Sequence, residues 1–202
     1  VVFLADDKHI LAIFAVADTL KETSAEAVKA LRERKIRVAM LTGDSENVAK
    51  AIAAKVGLDE YFAEALPEDK TKAVLRVKEA GGNVAMVGDG INDAPVLGRA
   101  DVGIAMGALG SDAAIEAADV VLMDDKPTRI ADAMRIARKT LRIVRQNIVF
   151  ALAIKFACLA LGALGLASMW TAIFADVGVM VLAVLNATRA LYTKDLARKN
   201  ER

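Results

Sequence analysis

The sequence is poor in the side chains that hold small domains together covalently or through metal ions. It has one cysteine and one histidine in 202 residues, so an internal disulfide is excluded and a Cys/His zinc site is not expected. Aromatic residues reach only 4%, yet hydrophobic residues reach 55%, which excludes intrinsic disorder. Charged residues still make up 26%, more than a purely membrane-embedded chain carries. These averages predict two unlike parts in one chain.

The net charge of +1 is a sum over parts that nearly cancel. Residues 1–125 hold 14 basic and 22 acidic side chains, a net of −8. Residues 126–147 hold 7 basic and 1 acidic, a net of +6, and residues 148–202 hold 6 and 3, a net of +3. The sequence therefore predicts an acidic globular part, a basic connecting segment and a third part of different character. We expect no nucleic-acid partner.

Two long apolar runs predict a transmembrane helical hairpin. Residues 148–167 contain one charged side chain, Lys155, and residues 170–191 contain Asp176. Each run is long enough to cross about 30 Å of hydrocarbon as a helix, and only residues 168–169 separate them. Basic residues flank both outer ends of the pair, so the positive-inside rule predicts that these ends are cytoplasmic. A buried hairpin of a soluble protein is the alternative interpretation.

Strands and helices alternate before the basic segment, which predicts a mainly parallel sheet covered by helices on both faces. The first two strands are expected to form a hairpin. The predicted strands are residues 1–5, 9–17, 36–41, 62–66, 83–87, 102–105 and 120–123. The predicted helices are residues 24–34, 46–56, 67–80, 92–99 and 112–117, followed by a long helix from about residue 128.

Polar side chains collect where the predicted strands end, which is where ligands bind in open α/β sheets. Thr42, Gly43 and Asp44 follow one strand. Asp89 and Asp93 stand four residues apart around a glycine turn after another strand. Paired carboxylates form the hard oxygen site that Mg²⁺ prefers, usually shared with phosphate oxygens. The threonine offers a hydroxyl and a backbone N–H to the same phosphate.

Lys70 lies in the first turn of a predicted helix, where a cation can neutralise phosphoryl charge. Each of these features also has a purely structural interpretation. The threonine–glycine–aspartate turn can cap a helix, the two aspartates can be turn and capping residues, and a surface lysine is commonly solvated. Their combination, in this order and after successive strands, favours a phosphate and Mg²⁺ site.

Residues 40–107, which include MLTGD and the GDGIND block, resemble the phosphorylation domain of heavy-metal-transporting P-type ATPases. That domain belongs to the haloacid-dehalogenase-like superfamily, and the resemblance extends over essentially the whole chain. It implies a Rossmann-like α/β fold with an incomplete parallel sheet, followed by a transmembrane α-helical hairpin. It implies ATP as substrate, Mg²⁺ as cofactor and Thr42, Lys70 and Asp89 as catalytic residues. The implied ligands are Asp89 and Asp93 for Mg²⁺, Thr42 and Lys70 for the aspartyl phosphate, and Gly43, Asp44 and Asn92 around phosphate and nucleotide.

The resemblance also implies a division of the chain into five parts. Asp18 would lie where the chain returns from a nucleotide-binding domain. An ordinary β-hairpin remains the alternative for the first part. The parts are residues 1–17 (end of the nucleotide-binding domain), 18–127 (phosphorylation domain), 128–147 (basic connecting helix), 148–192 (membrane hairpin) and 193–202 (basic cytoplasmic tail).

Residues 175–189 resemble the last transmembrane helix of the zinc, cadmium, lead and cobalt branch of these pumps. This implies that Asp176, in an Asp-Val-Gly segment, binds the transported ion and that Lys155 is its counter-charge. It also implies that the protein lies in a bacterial plasma membrane. The alternatives are a lysine that extends to the near interface and a carboxyl kept protonated between helices. At about 1.5 Å per residue, the two side chains should differ in depth by roughly 10 Å, which helix tilt and the lysine stem can reduce.

The DKTGT motif, whose aspartate is phosphorylated in this family, does not occur in the sequence. Because covalent catalysis needs its nucleophile, we expect the chain to be the C-terminal part of a pump, inactive without the missing N-terminal part. Its sheet should also lack the central strand that carries the motif. A haloacid-dehalogenase-like phosphatase and a non-catalytic membrane-anchored remnant are the alternative functions.

Overall fold

A computed structural model describes most of the chain, which divides into two compact units, Val1–Arg129 and Ile130–Arg202. The described residues are 2–6, 9–14, 20–58, 60–88, 91–107 and 112–192.

The first unit begins with the predicted antiparallel hairpin. Strand β1 (Val2–Ala5) pairs with β2 (Ile10–Phe14), with Leu4 opposite Ala12. The large apolar side chains of this hairpin are exposed on the surface of the chain. Part of the predicted second strand, together with Asp18, lies outside the described residues.

Five short parallel strands of the described residues follow, in two sheets rather than one. Strand β3 (Ala39–Leu41) pairs with β4 (Glu60–Phe62), and β5 (Ala85–Gly88) pairs with β6 (Val102–Met106), which pairs with β7 (Val120–Leu122). Among the residues that the structure describes, no pairing joins β3 to β5. The expected incomplete parallel sheet is therefore confirmed.

Within the part of this unit that the structure describes, five helices accompany these strands, and their ends follow local chemistry. Gly57 ends α2 with a left-handed φ of 80°, which costs a glycine little. Pro67 occupies the first position of α3, where its missing N–H is not needed. The predicted helix over residues 92–99 is instead a 3₁₀ turn, Ile91–Asp93, followed by a short α-helix. The helices are α1 (Ser24–Arg32), α2 (Glu46–Val56), α3 (Pro67–Glu79), α4 (Ala94–Leu97) and α5 (Asp112–Ala117).

The core of this unit lies between the helices and the parallel strands. Val96 and Leu97 on α4 are fully buried, and they pack with Val74 of α3 and Met86 of β5. Leu41 of β3 packs against the same cluster. One core therefore joins both parallel sheets and holds the ends of β3 and β5 in a single unit.

Strand β4 (Glu60–Phe62) shares only Phe62 with the predicted strand over residues 62–66, which was placed too late in the chain. Glu64 has a φ of 51°, a left-handed conformation that takes the chain out of the sheet. The N–H of Ala65 then donates to the carbonyl oxygen of Thr42 at 3.0 Å. This turn brings the start of α3 next to the loop that follows β3.

The second unit is helical. Helix α6 (Thr128–Ala163) is followed by α7 (Met169–Ile173), a π-helical turn (Phe174–Gly178), α8 (Val179–Ala187) and a 3₁₀ turn (Thr188–Ala190). The predicted two-residue connection is wrong: α6 ends at Ala163, and residues 164–168 form the turn, with Gly165 at a φ of 71°. The segments Thr128–Ala163 and Met169–Ala190 are both long and apolar enough to cross a membrane, and their most apolar 18-residue stretches have mean hydropathies of 1.7 and 1.8.

Candidate functional site

The loop after β3 holds the first group of predicted site residues. The hydroxyl of Thr42 donates to Asp44 Oδ2 at 2.8 Å, and the N–H of Asp44 donates to Thr42 Oγ1 at 3.1 Å. Gly43, between them, is exposed. The N-cap of α2 is Ser45, so the capping interpretation of Thr42 and Asp44 is not what the structure shows. The loop presents a hydroxyl and a carboxylate at the carboxyl end of its strand.

Lys70 extends from the first turn of α3 toward Asp93. Its ammonium nitrogen lies 2.9 Å from Asp93 Oδ1, and the two side chains are only 19% and 15% exposed. The N–H of Leu66, the N-cap of α3, lies 3.4 Å from Asp69 Oδ2, which ties the first turn together. Lys70 is thus not a freely solvated surface lysine but one half of a partly buried ion pair.

Asp93 lies directly against the end of β5. A Cβ atom on Gly88 would stand 2.7 Å from Asp93 Cβ and 2.9 Å from its Oδ2, so only glycine fits at the strand end. Asp93 precedes α4, but its side chain makes no capping hydrogen bond. Asn92, in the same 3₁₀ turn, has an exposed side chain. Asp89, the other predicted Mg²⁺ ligand, lies outside the described residues.

Two pairs of the predicted residues are thus brought together, one in each loop. Thr42 contacts Asp44, and Lys70 contacts Asp93. The hydrogen bond from Ala65 to the Thr42 carbonyl links the first loop to the chain just before α3, which carries Lys70. Within the described residues, no group of three or more His, Cys, Asp or Glu side chains could hold a metal ion.

Two other titratable groups of this unit are shifted by hydrogen bonds. The Val84 N–H donates to Asp101 Oδ2 at 2.9 Å, and together with Lys78 this lowers the pKa of the Asp101 carboxyl. The phenol of Tyr61 donates to Glu46 Oε1 at 2.8 Å, which raises the pKa of Tyr61. Both lie outside the predicted site residues.

The second candidate site lies in the helical unit. Lys155 Nζ on α6 stands 3.3 Å from Asp176 Oδ1 in the π-helical turn, with side-chain exposures of 55% and 76%. The expected difference in depth between these two side chains does not keep them apart. They form an ion pair between the two apolar helices.

Sequence reasoning missed a polar contact nearer the other end of the helix pair. Asn147 Nδ2 donates to the Ala183 carbonyl oxygen at 2.9 Å, and Asn186 Nδ2 donates to Asn147 Oδ1 at 2.8 Å. Arg189 in turn donates to Asn186 Oδ1 at 2.9 Å. The signal was present, because Asn147 borders one long apolar run, Asn186 lies within the other, and a polar side chain there requires a partner.

The first unit and the helix pair both match known proteins. The family model of haloacid dehalogenase-like hydrolases matches residues 1–101, half of the chain. The chain is 54% identical over 192 residues to a zinc-transporting ATPase of Synechocystis sp., which covers 94% of this chain and 27% of that protein. It is 50% identical over 199 residues to the cadmium, zinc and cobalt-transporting ATPase of Bacillus subtilis. That match covers 96% of this chain and 28% of that protein.

A solved structure shows the same architecture. The crystal structure of a zinc-transporting PIB-type ATPase in the E2·Pi state matches with a TM-score of 0.83 at 40% identity, covering 94% of this chain and 31% of that chain. The chain therefore spans a little over a quarter of the length of the curated relatives described above. The expected resemblance to the zinc and cadmium branch of P-type ATPases is confirmed. The chain belongs to the haloacid dehalogenase-like hydrolase family.

Proposed function

We propose that the chain is the C-terminal part of an ATP-driven efflux pump for divalent heavy-metal cations of the zinc and cadmium type. The pump would work through a Mg²⁺-dependent aspartyl-phosphate cycle. The observation that carries the proposal is the Lys70–Asp93 ion pair at the end of β5. The same chain has an ion pair between its two apolar helices, Lys155–Asp176. The names of the relatives, zinc-transporting and cadmium, zinc and cobalt-transporting ATPases, support the choice of ion.

In the phosphate site, the residues would act by position and charge. The Lys70 ammonium would neutralise phosphoryl oxygens, and the Thr42 hydroxyl would donate to one of them. Gly43, which carries no side chain, would leave room for close approach of the phosphate. The exposed Asn92 amide and the Asp44 carboxylate would lie around the phosphate and the nucleotide. The phosphorylated aspartate would come from the missing N-terminal part of the same pump.

Mg²⁺ would bind at the end of β5. Asp93 offers carboxylate oxygens beside a strand end that admits no side chain, and oxygen donors of this kind suit a hard cation. Asp89 would supply the second carboxylate. Bound Mg²⁺ would supply positive charge to the phosphoryl oxygens. Asp93 would also hold the Lys70 ammonium in place, so the lysine reaches the phosphate already oriented.

In the helix pair, Asp176 would bind the transported ion. A carboxylate oxygen suits a divalent ion such as Zn²⁺, Cd²⁺, Co²⁺ or Pb²⁺ better than it suits Cu⁺, which prefers soft sulfur ligands. Lys155, 3.3 Å away, would replace the ion as the partner of Asp176 when the site is empty. An intramembrane charge is costly unless it is paired, so this exchange would keep the carboxylate compensated in both states.

The proposed location is a multi-pass membrane position, most simply in a bacterial plasma membrane. None of the most apolar window of α6 is buried within the chain, so that surface requires an apolar surrounding, which a lipid bilayer provides. The phosphorylation domain, residues 18–127, and the basic tail, residues 193–202, would be cytoplasmic. Residues 1–17 would complete the nucleotide-binding domain. Residues 128–147 would connect the phosphorylation domain to the membrane hairpin, and residues 148–192 would span the membrane.

The test is metal-stimulated ATP hydrolysis by the full-length protein in membranes. Asp176→Ala should abolish stimulation by Zn²⁺ and Cd²⁺, because the ion loses its proposed carboxylate ligand. Met180→Ala, an exposed side chain one turn further along, is the matched control and should keep it. Retained Zn²⁺ stimulation in Asp176→Ala, or stimulation by Cu⁺ alone that Met180→Ala removes, would contradict the proposal.

A further inference from the structure

Contacts at three successive levels hold α6 against the second helix of the pair. They are Cys158 Sγ to the Thr171 carbonyl oxygen (4.0 Å), Lys155 Nζ to Asp176 Oδ1 (3.3 Å) and Asn147 Nδ2 to the Ala183 carbonyl oxygen (2.9 Å). On α6, Cys158 and Asn147 are 11 positions apart, whereas their partners on the second helix, Thr171 and Ala183, are 12 positions apart. Two antiparallel α-helices have the same rise per residue, and between the outer two contacts the second helix advances one position more than α6.

The π-helical turn Phe174–Gly178 accommodates this additional residue. The N–H of Val179 donates to the Phe174 carbonyl oxygen, five residues back, where an α-helix would bond four residues back. In an α-helix, one residue corresponds to about 100° of rotation. The π turn therefore allows the residues before it and those after it to face α6 together. Ala175 and Val179, on either side of its centre, are both buried.

Gly178 provides the space that this turn needs. A Cβ atom there would stand 2.6 Å from Phe174 Cδ2 and 2.9 Å from Cε2. The phenyl ring thus lies directly over the glycine, within the π turn itself. A methyl group at this position must displace the ring or rewind the turn, and rewinding rotates the preceding residues relative to α8.

We propose that Gly178 is a positioning residue for the transported cation. The π turn that it permits directs the Asp176 carboxylate toward Lys155, and so sets the affinity of the site for a divalent metal ion. The inference rests on the proposed function of Asp176 as a ligand. It adds the reason why the residue two positions after that ligand must be glycine, and it assigns Phe174 as the side chain that occupies the space.

The experiment measures ATP hydrolysis by the full-length protein in membranes as a function of free Zn²⁺. Gly178→Ala should raise the Zn²⁺ concentration for half-maximal stimulation about tenfold, as for other residues that orient a metal ligand, with the maximal rate retained at saturating Zn²⁺. Adding Phe174→Ala to the same chain should restore the wild-type value, because the ring that meets the new methyl group is gone. Gly162→Ala on α6 is the matched control, since its Cβ would stand 3.9 Å from the nearest atom, Ala167 Cβ.

The outcomes separate this inference from the proposed function. A Gly178→Ala protein with the wild-type half-maximal Zn²⁺ concentration overturns the inference, and so does a double variant no better than Gly178→Ala. If Gly178→Ala does not fold, the double variant is the test. A double variant with the wild-type Zn²⁺ affinity supports the positioning role of Gly178, and a double variant with weaker affinity, or one that does not fold, overturns it. If Asp176→Ala abolishes Zn²⁺ stimulation but Gly178→Ala keeps the wild-type half-maximal Zn²⁺ concentration, only the role of Gly178 is contradicted. If Asp176→Ala keeps Zn²⁺ stimulation, the proposed role of Asp176 as a ligand is contradicted.

Discussion

The Lys70–Asp93 ion pair differs from the Lys72–Asp69 pair, whose lysine lies on the same helix. Its side chains are less than one-fifth exposed, whereas those of Lys72 and Asp69 are 60% and 50% exposed. Water screens an exposed pair strongly, so such a pair contributes little to stability. A pair withdrawn from water is coupled more strongly, and removing one partner leaves an uncompensated charge. The two pairs therefore form a matched comparison within one helix.

Lys70→Ala should lower the maximal rate of Zn²⁺-stimulated ATP hydrolysis by the full-length protein about 100-fold or more. The reason is the loss of a positioned positive charge at the phosphoryl group. Lys72→Ala, two residues further along α3, should leave the rate within about twofold of wild type, because its exposed pair contributes little. Steady-state phosphate release measures both. Equal rates for the two variants would show that burial of the pair has no bearing on catalysis.

Asp101 should make stability depend on pH. Its pKa is lowered by the hydrogen bond from the Val84 N–H and by Lys78, so its folded pKa lies below the unfolded value of about 3.9. The stabilisation is therefore present above about pH 4 and is lost as the pH falls through the folded pKa. Asp101→Asn should lower the unfolding temperature at pH 7, and the difference from wild type should shrink as the pH approaches 3.

Thermal unfolding followed between pH 3 and pH 7 measures this effect. Glu116→Gln is the control, since Glu116 is exposed and has no ion pair with the residues that the structure describes. A difference between wild type and Asp101→Asn that does not change with pH would show that the charge of Asp101 is not what stabilises the fold.

The sequence singled out candidate site residues but not the contacts between them. Thr42, Lys70 and Asp93 could be singled out because each stands at a strand end or helix start that local patterns specify. The Lys70–Asp93 contact depends on how α3 packs beside β5, which no local pattern contains. Gly88 appeared only as part of a turn, although its role is to admit Asp93.

At the scale of elements, the packing of β6 against α4 leaves no space between them. A Cβ atom on Gly103 of β6 would stand 2.8 Å from the carbonyl oxygen of Leu97, which is a backbone atom at the centre of the core. A backbone atom in a short buried helix cannot move aside as the end of a side chain can. The glycine is thus a requirement of the core rather than of the strand.

Gly103→Ala should lower the free energy of unfolding by about 1–3 kcal/mol, as overpacking in a dense core does. Gly98→Ala is the matched control, because its Cβ would stand 3.7 Å from the Ala94 carbonyl oxygen and its φ of −69° suits alanine. That variant should be unchanged or stabilised by up to about 1 kcal/mol. Urea unfolding in detergent micelles measures both. A Gly103→Ala chain as stable as Gly98→Ala would mean that α4 can shift.

Element boundaries were predictable where a residue imposes them and less so elsewhere. Pro67 and Gly57 were correct indicators of a helix start and a helix end. The end of β4 was misplaced because Glu64 takes a left-handed conformation, which the sequence does not favour at glutamate. The π turn was not predicted, since its additional residue is set by the contacts of α6 on both sides of it.

At the scale of the whole molecule, apolar surface and charge are distributed along the chain in different ways. Residues 1–125 carry a net charge of −8 and residues 126–147 one of +6. The most exposed large side chains of α6 include Leu159 at 68% and, within the basic segment, Leu141 at 67%. Two leucines of equal exposure thus lie in different settings, one in the proposed membrane span and one before it.

The chain should sediment with membranes and resist extraction by alkaline carbonate. Leu159→Arg should lower the extraction-resistant fraction severalfold, because an arginine near the centre of a span costs about 2.5–3.5 kcal/mol. Leu141→Arg should leave that fraction unchanged, since the position lies among basic residues outside the proposed span. Immunoblots of the two fractions measure this. A wild-type chain recovered in the soluble fraction would contradict the membrane assignment.

The break between the two parallel sheets has a consequence for handling the protein. Among the described residues, β3 pairs with β4 alone and β5 with β6 alone, so each has one edge whose backbone groups lack a strand partner. Such edges are templates for an added strand, including one from a second copy of the same chain. Self-association is second order in protein, whereas unfolding is first order. The yield of monomeric chain on refolding should therefore be governed by dilution more than by temperature, and a peptide strand that occupies the gap should act as a solubilising agent.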